Sequence, residues 1–250
     1  MLSFKKNNPG KGTPNKKSEK STPKDAPQFL LKGTAAQKAL AEEEHQAEQR
    51  QKDRENRADR FWIKEGNDTI LTFLDGYLND EGMLDPPMYW EHQLNMSGHW
   101  RNWFVCLKTI NQYCPICEND NSALVAVFTV IDHSTYETKK GDIITDQVKL
   151  YVCKMQTLQQ LRKLAAKTGG LAGVSYEVSR IGDNAANVGN MFQFLEQNPV
   201  KDIIAKLSTE EKKISVFNYE QVIQFRTVEE LSKLGFGGKS IGDESLSEHL

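Results

Sequence analysis

Four potential metal ligands fall within a short stretch of this 250-residue chain and constrain its fold more than any other feature. They are His92, Cys106, Cys114 and Cys117, separated by thirteen, seven and two residues. In the Cys-Pro-x-Cys knuckle, a tight turn directs two thiolates towards one ion, and two more soft ligands complete a tetrahedron. Cys106 ends the strand that leads into this loop and is the natural third ligand. The sequence therefore predicts one zinc ion that holds a loop in place.

The residues alone leave the fourth ligand open. His92 reaches the ion only if the connection at residues 95–98 is irregular or its strand bends, because a perfect hairpin leaves it out of register with Cys106. Cys153 ends a strand that can return beside Ala123, which makes it a competing ligand. The commoner role of such a cysteine is a small buried core residue. With four protein ligands, the site is closed and therefore structural rather than catalytic.

The net charge of −2 conceals a strongly basic N-terminus. Residues 1–24 carry seven lysines against one glutamate, a net charge of +6, which leaves −8 for the remainder of the chain. This excludes a globally basic surface that coats DNA, so any phosphate binding by the folded part requires a local groove. Residues 1–28 lack apolar side chains in any pattern and are predicted to form a disordered basic arm.

The remaining composition divides the chain further. Residues 29–59 are rich in Ala, Glu, Gln, Lys and Arg and predict a solvated helical segment. Residues 60–232 are predicted to form the folded core, and residues 233–250 a flexible, mildly acidic tail. No apolar run is long enough to span a bilayer, and the N-terminus lacks the apolar region of a secretory signal. Clustered cysteines in such a chain fit a reduced compartment, so a cytoplasmic protein without membrane contacts is expected.

Short strand-like runs, broken by turn residues, follow one another from Phe61 onward. A helix with Thr157 and Gln160 as its capping box ends at the glycines at 169 and 170. Five or six strands with an inserted helix predict a mainly β fold with helices (α+β). The expected form is a partly open barrel of the OB type with an inserted zinc loop. The predicted strands cover residues 69–74, 88–94, 100–107, 123–132, 147–153 and 174–180, and short helices cover residues 199–207 and 228–234.

Aromatic and basic residues surround the predicted metal loop. Three of the four tryptophans lie within fourteen residues of one another. Strand alternation places Trp100 and Cys106 on one face and Trp103 on the other, and the sequence does not decide which face lines the core. On a later strand, Lys149 and Tyr151 point together, a cation beside a ring, as a single-strand groove requires. The candidate DNA contacts are Trp100, Arg101, Trp103, Lys108, Lys149, Tyr151 and Lys154.

The order and spacing of these motifs resemble a known family. The run 69–74, then His92, the Ser-Gly-His-Trp turn at 97–100, Cys106 and the knuckle at 114–117 are similar to the core of the T-even bacteriophage single-stranded DNA-binding (helix-destabilising) proteins. The resemblance implies that His92 is the fourth ligand. It further implies an OB fold, one structural zinc ion and coating of unpaired strands, without sequence specificity, in phage DNA replication, recombination and repair. The host cytoplasm would then be the location.

The same resemblance implies protein partners. The basic arm would contact neighbouring copies on the strand, and the C-terminal tail would recruit replication and recombination proteins. Such a protein is not an enzyme.

Two other functions compete with this interpretation. A zinc-containing nuclease or primase accessory protein needs a carboxylate cluster for magnesium, and Asp75, Asp80, Glu81 and Asp85 are the candidates. The adjoining glycine and prolines favour a solvated turn there. A zinc-ribbon adaptor subunit would bind a polymerase or helicase without touching DNA.

Overall fold

The computed structural model describes residues 30–55, 58–96, 99–138, 141–209 and 213–237. The predicted arm at residues 1–28 and most of the predicted tail at residues 233–250 lie outside this part of the chain. The chain divides into two units, residues 1–49 and residues 50–250.

Helix α1 (Thr34–Glu55) lies within the segment predicted to be a solvated helix. Its residues are mostly strong helix formers without an apolar stripe. Every residue of α1 whose exposure is described is exposed or half-buried, as that composition predicts. No helix in the described ranges is both long and apolar enough to cross a bilayer.

Seven strands form one mostly antiparallel sheet, in the order β3-β2-β4-β1-β8-β9, with β7 paired to β4. The α+β class is therefore confirmed. The sheet is not closed into a barrel, and the OB type remains a prediction. A separate ribbon pairs β5 with β6. The strands are β1 (Asp68–Phe73), β2 (Met88–Met96), β3 (His99–Val105), β4 (Ala123–Asp132), β5 (Tyr136–Glu137), β6 (Ile143–Ile144), β7 (Gln147–Lys154), β8 (Val174–Ser179) and β9 (Met191–Gln197).

Strand β4 lies at the centre of this sheet and pairs with three others. One edge pairs with β7 along its length, while the other pairs first with β2 and then with β1. Both of its faces are covered: Ala126 and Phe128 belong to the main core, and Val125 and Val127 to a second cluster on the opposite face. A strand buried on both faces has a continuous apolar run instead of alternation, which is the pattern of residues 123–132.

The main core is built around packed aromatic rings. The ring centroid of Phe73 lies 5.7 Å from that of Phe128 and 5.4 Å from that of Tyr151. Phe61 stacks on Tyr151, with its ring centroid at 5.8 Å. The segment that carries Phe61 bonds to the outer edge of β7, where the Phe61 N–H donates to the Leu150 carbonyl oxygen at 2.9 Å.

Helix α2 (Met155–Thr168) covers this core with Leu158, Leu161 and Ala165. Its predicted end is confirmed, because Gly169 caps the helix in the left-handed region at φ 73°. Its predicted start is wrong. The helix begins at Met155, directly after β7, and Thr157 is buried in the first turn instead of capping it.

The described residues after 198 include three short helices, α3 (Val200–Leu207), α4 (Tyr219–Val222) and α5 (Val228–Lys233). Residues 213–237, called here the C-terminal strap, contact several parts of the sheet in turn. Ile214 packs with Leu74 and Ile131, and Phe217 packs on the second cluster beside β4. Leu231 of α5 packs against the loop that carries the cysteines.

Candidate metal centre and adjoining groove

An irregular hairpin places His92 on the same face as Cys106. Met96 pairs with His99, but Leu94 pairs with Asn102, so β3 has one extra residue within the hairpin. Without this bulge, regular pairing would put His92 opposite Trp103, on the other face of the sheet. With it, His92 pairs with Phe104 and shares a face with Cys106. The irregularity that the sequence required for a His92 ligand is therefore present.

Two short 3₁₀ helices, Leu107–Ile110 and Pro115–Glu118, shape the loop that follows β3. Cys106 precedes the first, and its N–H donates to the Trp90 carbonyl oxygen at 2.7 Å, which fixes it against β2. Cys114 precedes the second helix, and the Cys117 N–H returns to the Cys114 carbonyl oxygen at 3.1 Å. Proline at the first helical position suits this turn, because it has no N–H to satisfy.

The four side chains converge on one point. Cys106 Sγ lies 3.3 Å from Cys117 Sγ, and His92 Nε2 lies 3.6 Å from Cys114 Sγ and 3.4 Å from Cys117 Sγ. All four ligand atoms lie within 4.8 Å of one another. A tetrahedral ion with sulfur ligands at about 2.3 Å and a nitrogen ligand at about 2.0 Å separates its ligand atoms by about 3.5–3.8 Å. The arrangement can therefore hold one metal ion.

Asp120 fixes the orientation of the imidazole. Its Oδ2 accepts a hydrogen bond from His92 Nδ1 at 2.8 Å, which leaves Nε2 unprotonated and directed at the sulfurs. A carboxylate behind a histidine ligand is a common feature of metal sites, where it raises the basicity of the ligand. His92 itself is fully buried, so this bond also satisfies a buried polar atom.

The thiols differ in their tendency to ionise. Burial raises the pKa of Cys114, but hydrogen bonds from backbone groups of the loop outweigh it and leave the pKa below its ordinary value. Burial and the neighbouring Cys106 and Cys114 raise the pKa of Cys117 to about 12. The Cys117 thiol therefore stays protonated unless a cation lies close to it. Three clustered thiols fit a divalent cation, which favours their thiolate forms.

Other predicted metal ligands lie elsewhere. Cys153 is buried in the main core, where burial raises its pKa to about 12, and it is not a member of the group. Asp75 is directed inward onto Thr129 and Tyr219, while Asp80 and Asp85 are exposed. Within the described ranges, the His92 group is the only set of three or more such residues close enough to share an ion.

The C-terminal strap packs against the metal loop. Leu231 is fully buried with Cys106, Cys114 and their neighbours, and the ring of Phe236 lies edge-on to that of Phe104 at 5.3 Å. A Cβ added at Gly237 would lie 2.5 Å from Pro115 Cβ, in the knuckle itself. The ligand loop is therefore held by β2 on one side and by the strap on the other.

The opposite face of the same hairpin lines a groove. Strands β2 and β3 contribute Tyr89, Glu91 and Trp103, and the strap contributes the other wall from Val222 to Arg226. Arg60 lies inside, with its guanidinium carbon 4.3 Å from the centre of the Trp103 ring. Ring, arginine and acid therefore share one concave surface.

Hydrogen bonds fix the position of Arg60. Its Nη1 donates to Glu91 Oε2 at 3.0 Å, and its Nη2 donates to the other oxygen of Glu91 and to the Tyr89 hydroxyl. The Tyr89 hydroxyl in turn donates to Glu91 at 2.6 Å. Burial raises the pKa of Tyr89 well above its ordinary value, so this hydroxyl remains a donor at neutral pH.

The predicted DNA contacts separate into several groups. Trp103 lines the groove, whereas the side chains of Trp100 and Arg101 lie outside the described part of the structure. The prediction that Tyr151 is an accessible ring is wrong, because Tyr151 is fully buried in the aromatic core and donates to the Val188 carbonyl oxygen. The alternation of β7 places its odd-numbered residues towards this core, a direction that the sequence did not reveal.

The three predicted lysines also differ. Lys149 forms an ion pair with the buried Asp132 at 2.6 Å, and this pair neutralises its charge. Lys108 lies outside the groove lining, 3.4 Å from the centre of the Trp90 ring. Lys154 is exposed and opposes Val125, which in turn opposes Tyr89, so it extends the groove face towards solvent.

Sequence reasoning missed Arg60, Glu91, Asp120 and Arg226. Asp120 carries a weak signal, since it follows the last ligand by three residues. Arg60 and Glu91 lie 31 residues apart and carry none, because nothing local marks a pair joined only by tertiary structure.

A second polar cluster has the order of a catalytic triad. His133 Nδ1 bonds to Asp146 at 2.6 Å and its Nε2 to the Thr72 hydroxyl at 2.8 Å, while that hydroxyl lies 2.7 Å from Ser175 Oγ. Both hydroxyls are buried within the sheet, with exposures of 2% and 5%. They are inaccessible to a substrate, and the network instead ties the end of β4 to β1 and β8.

No protein-family model matches the chain, and no curated protein matches it.

Proposed function

We propose that this protein binds single-stranded DNA and holds one structural zinc ion. The observation that carries the proposal is the division of one hairpin between two roles. One face of β2–β3 presents the His92 group, and the other presents Trp103 in a groove with arginine side chains. A metal that braces the hairpin would keep the groove in shape for unpaired strands.

Zinc is the ion that this donor set favours. Three thiolates and one imidazole are soft and borderline ligands, and a Cys3His tetrahedron is a common structural zinc site. The ligands would be His92 through Nε2 and the sulfurs of Cys106, Cys114 and Cys117. When bound, zinc would cross-link the loop that carries Cys114 and Cys117 to His92 on β2. The four protein ligands leave no open position for catalysis.

DNA would bind by stacking and by phosphate neutralisation. A base that stacks on an aromatic ring contributes about 1–3 kcal/mol, and every base has such a face, so the binding would be independent of sequence. Trp103 lines the groove and would stack on a base. Arg226, also in the lining, and the exposed Lys154 would supply positive charge for phosphates. The resemblance to the T-even phage proteins supports this assignment. By the same resemblance, the arm and tail would contact neighbouring copies and replication proteins.

A fluorescence titration with poly(dT) at two salt concentrations, with and without a chelator, tests the proposal. We expect tryptophan quenching, an affinity that falls steeply with salt, and weaker binding after chelation. Trp103→Ala should lower the affinity about tenfold. Trp62→Ala is the matched control, because Trp62 is exposed outside the groove lining. Absence of quenching would favour an adaptor, and a salt-independent affinity would contradict the groove.

A further inference from the structure

The arginine nearest to Trp103 is not available as an ordinary cation. Arg60 and Glu91 form a bidentate ion pair, and their side chains are only 16% and 8% exposed. The charge of Arg60 is therefore neutralised within the protein, and its guanidinium plane has a fixed position. A guanidinium over an aromatic ring attracts the ring electrostatically. A guanidinium that other bonds hold in place therefore favours one position of the ring.

We propose that Arg60 is a positioning residue, which the Tyr89–Glu91 pair holds against Trp103 so that the indole presents one fixed face to a base. This role rests on the proposed DNA binding, and it assigns different tasks to Arg60 and Arg226 in the same groove. Arg60 contributes to stacking through Trp103 and contributes nothing to the neutralisation of phosphates. Arg226, on the opposite wall, has the second role.

The dependence of affinity on salt distinguishes the two roles. Each phosphate contact on a single strand adds about 0.7 to the slope of log affinity against log salt concentration. The double variant Arg60→Met with Glu91→Gln, which removes both charges of the pair, should lower the affinity for oligo(dT) about tenfold and leave the slope unchanged. Arg226→Met, the matched control from the same groove, should lower the slope by about 0.7. A fall of that size in the double variant, or an unchanged affinity, overturns the inference.

Loss of Arg60 alone leaves the carboxylate of Glu91 buried without its ion-pair partner, which destabilises folded proteins. Its uncompensated negative charge would also repel phosphates and lower the slope of Arg60→Met. The double variant avoids both effects, because it removes both charges and leaves the net charge of the groove unchanged. Glu91→Gln alone releases the charge of Arg60 and should increase the slope. Recovery of wild-type affinity in the double variant would show that Arg60 does not position Trp103.

The free protein provides a readout that is independent of DNA. The accessibility of Trp103 to acrylamide is the difference between each protein and its Trp103→Phe derivative. It should be higher than in the wild type both in Arg60→Met and in Arg60→Lys, because lysine lacks the planar guanidinium. Unchanged accessibility in both variants would contradict the inference. Failure of the wild-type protein to bind oligo(dT) would instead refute the proposed function and leave this result standing.

Discussion

The hydroxyl of Tyr219 donates a hydrogen bond to the carboxylate of Asp75, which lies 144 residues earlier in the chain. The Thr129 N–H donates to the same carboxylate at 3.1 Å, and the Thr129 hydroxyl lies 2.9 Å from that of Tyr219. This buried network fastens the C-terminal strap to β4, just before the strap forms one wall of the groove at Val222–Arg226. The shape of the groove therefore depends on contacts outside it.

The pH dependence of stability should include a contribution from Asp75. Burial raises its pKa to about 6 despite the bonds from Tyr219 and Thr129. An acid whose pKa is higher in the folded chain binds its proton more tightly when folded. The stability from this titration is therefore complete below about pH 4 and is lost as the pH rises through about 6. Asp75→Asn removes this loss, so its free energy of unfolding relative to wild type should rise by about 3 kcal/mol between pH 4 and pH 7.

Urea unfolding at several pH values measures this difference. Asp85→Asn, at an exposed position, controls for the loss of one negative charge. Parallel pH profiles for Asp75→Asn and the wild type would exclude Asp75 as the group responsible.

Removal of the proposed zinc ion should loosen the end of the strap before the core. Leu231 and Phe236 pack on the ligand loop, so a loop without its ion loses the surface that holds α5. After chelation, amide hydrogen exchange should accelerate in α5 and in the knuckle, while the amides of α2 keep their protection. Elemental analysis should give one zinc per chain, and Cys114→Ser should abolish it. Equal acceleration throughout the protein would indicate global unfolding instead.

Asp120→Asn should weaken metal binding without altering the four ligands. Loss of a carboxylate behind a histidine ligand typically lowers metal affinity 10–100-fold, so competition with a chromogenic chelator should show a change of about that size. Glu118→Gln is the matched control, because Glu118 lies two residues before Asp120, at the end of the 3₁₀ helix, but bonds to Tyr113. Similar metal affinities in the two variants would mean that Asp120 does not orient His92.

Gly237→Ala should destabilise the protein more than Gly235→Ala. Both glycines have a positive φ, 75° and 92°, so both substitutions introduce backbone strain. Only the Cβ at 237 meets another atom, Pro115 Cβ at 2.5 Å, whereas nothing lies within 4 Å at 235. The difference in unfolding free energy should be about 1–3 kcal/mol, the usual cost of overpacking. Equal thermal stabilities would show that the strap yields freely at the knuckle.

The candidate metal ligands were predictable because their chemistry is local. Cys114 and Cys117 lie on one turn, and their spacing alone indicates an ion between them. Runs with clear alternation or with strong turn residues at their ends were predictable in the same way. Strand β9 was missed, because most of its residues are exposed and only Phe192 and Phe194 mark its apolar face.

What the sequence could not reveal depends on long-range geometry. The side chain of Tyr151 points into the core because that face of β7 meets α2. Alternation along a strand defines two faces but does not show which of them lines the core. The Arg60–Glu91 pair joins a segment before the first strand of the sheet to β2, and only the fold brings them together.

The extra residue of β3 affects how relatives of this chain should be sought. Trp100 and Arg101 together oppose Asn95, and a shorter hairpin lacking one of them would keep His92 opposite Phe104. The number of residues between His92 and Cys106 can therefore fall by one during evolution, while the residues on both faces of the hairpin keep their positions. A search pattern that demands thirteen intervening residues would overlook such proteins, whereas one that tolerates twelve would find them.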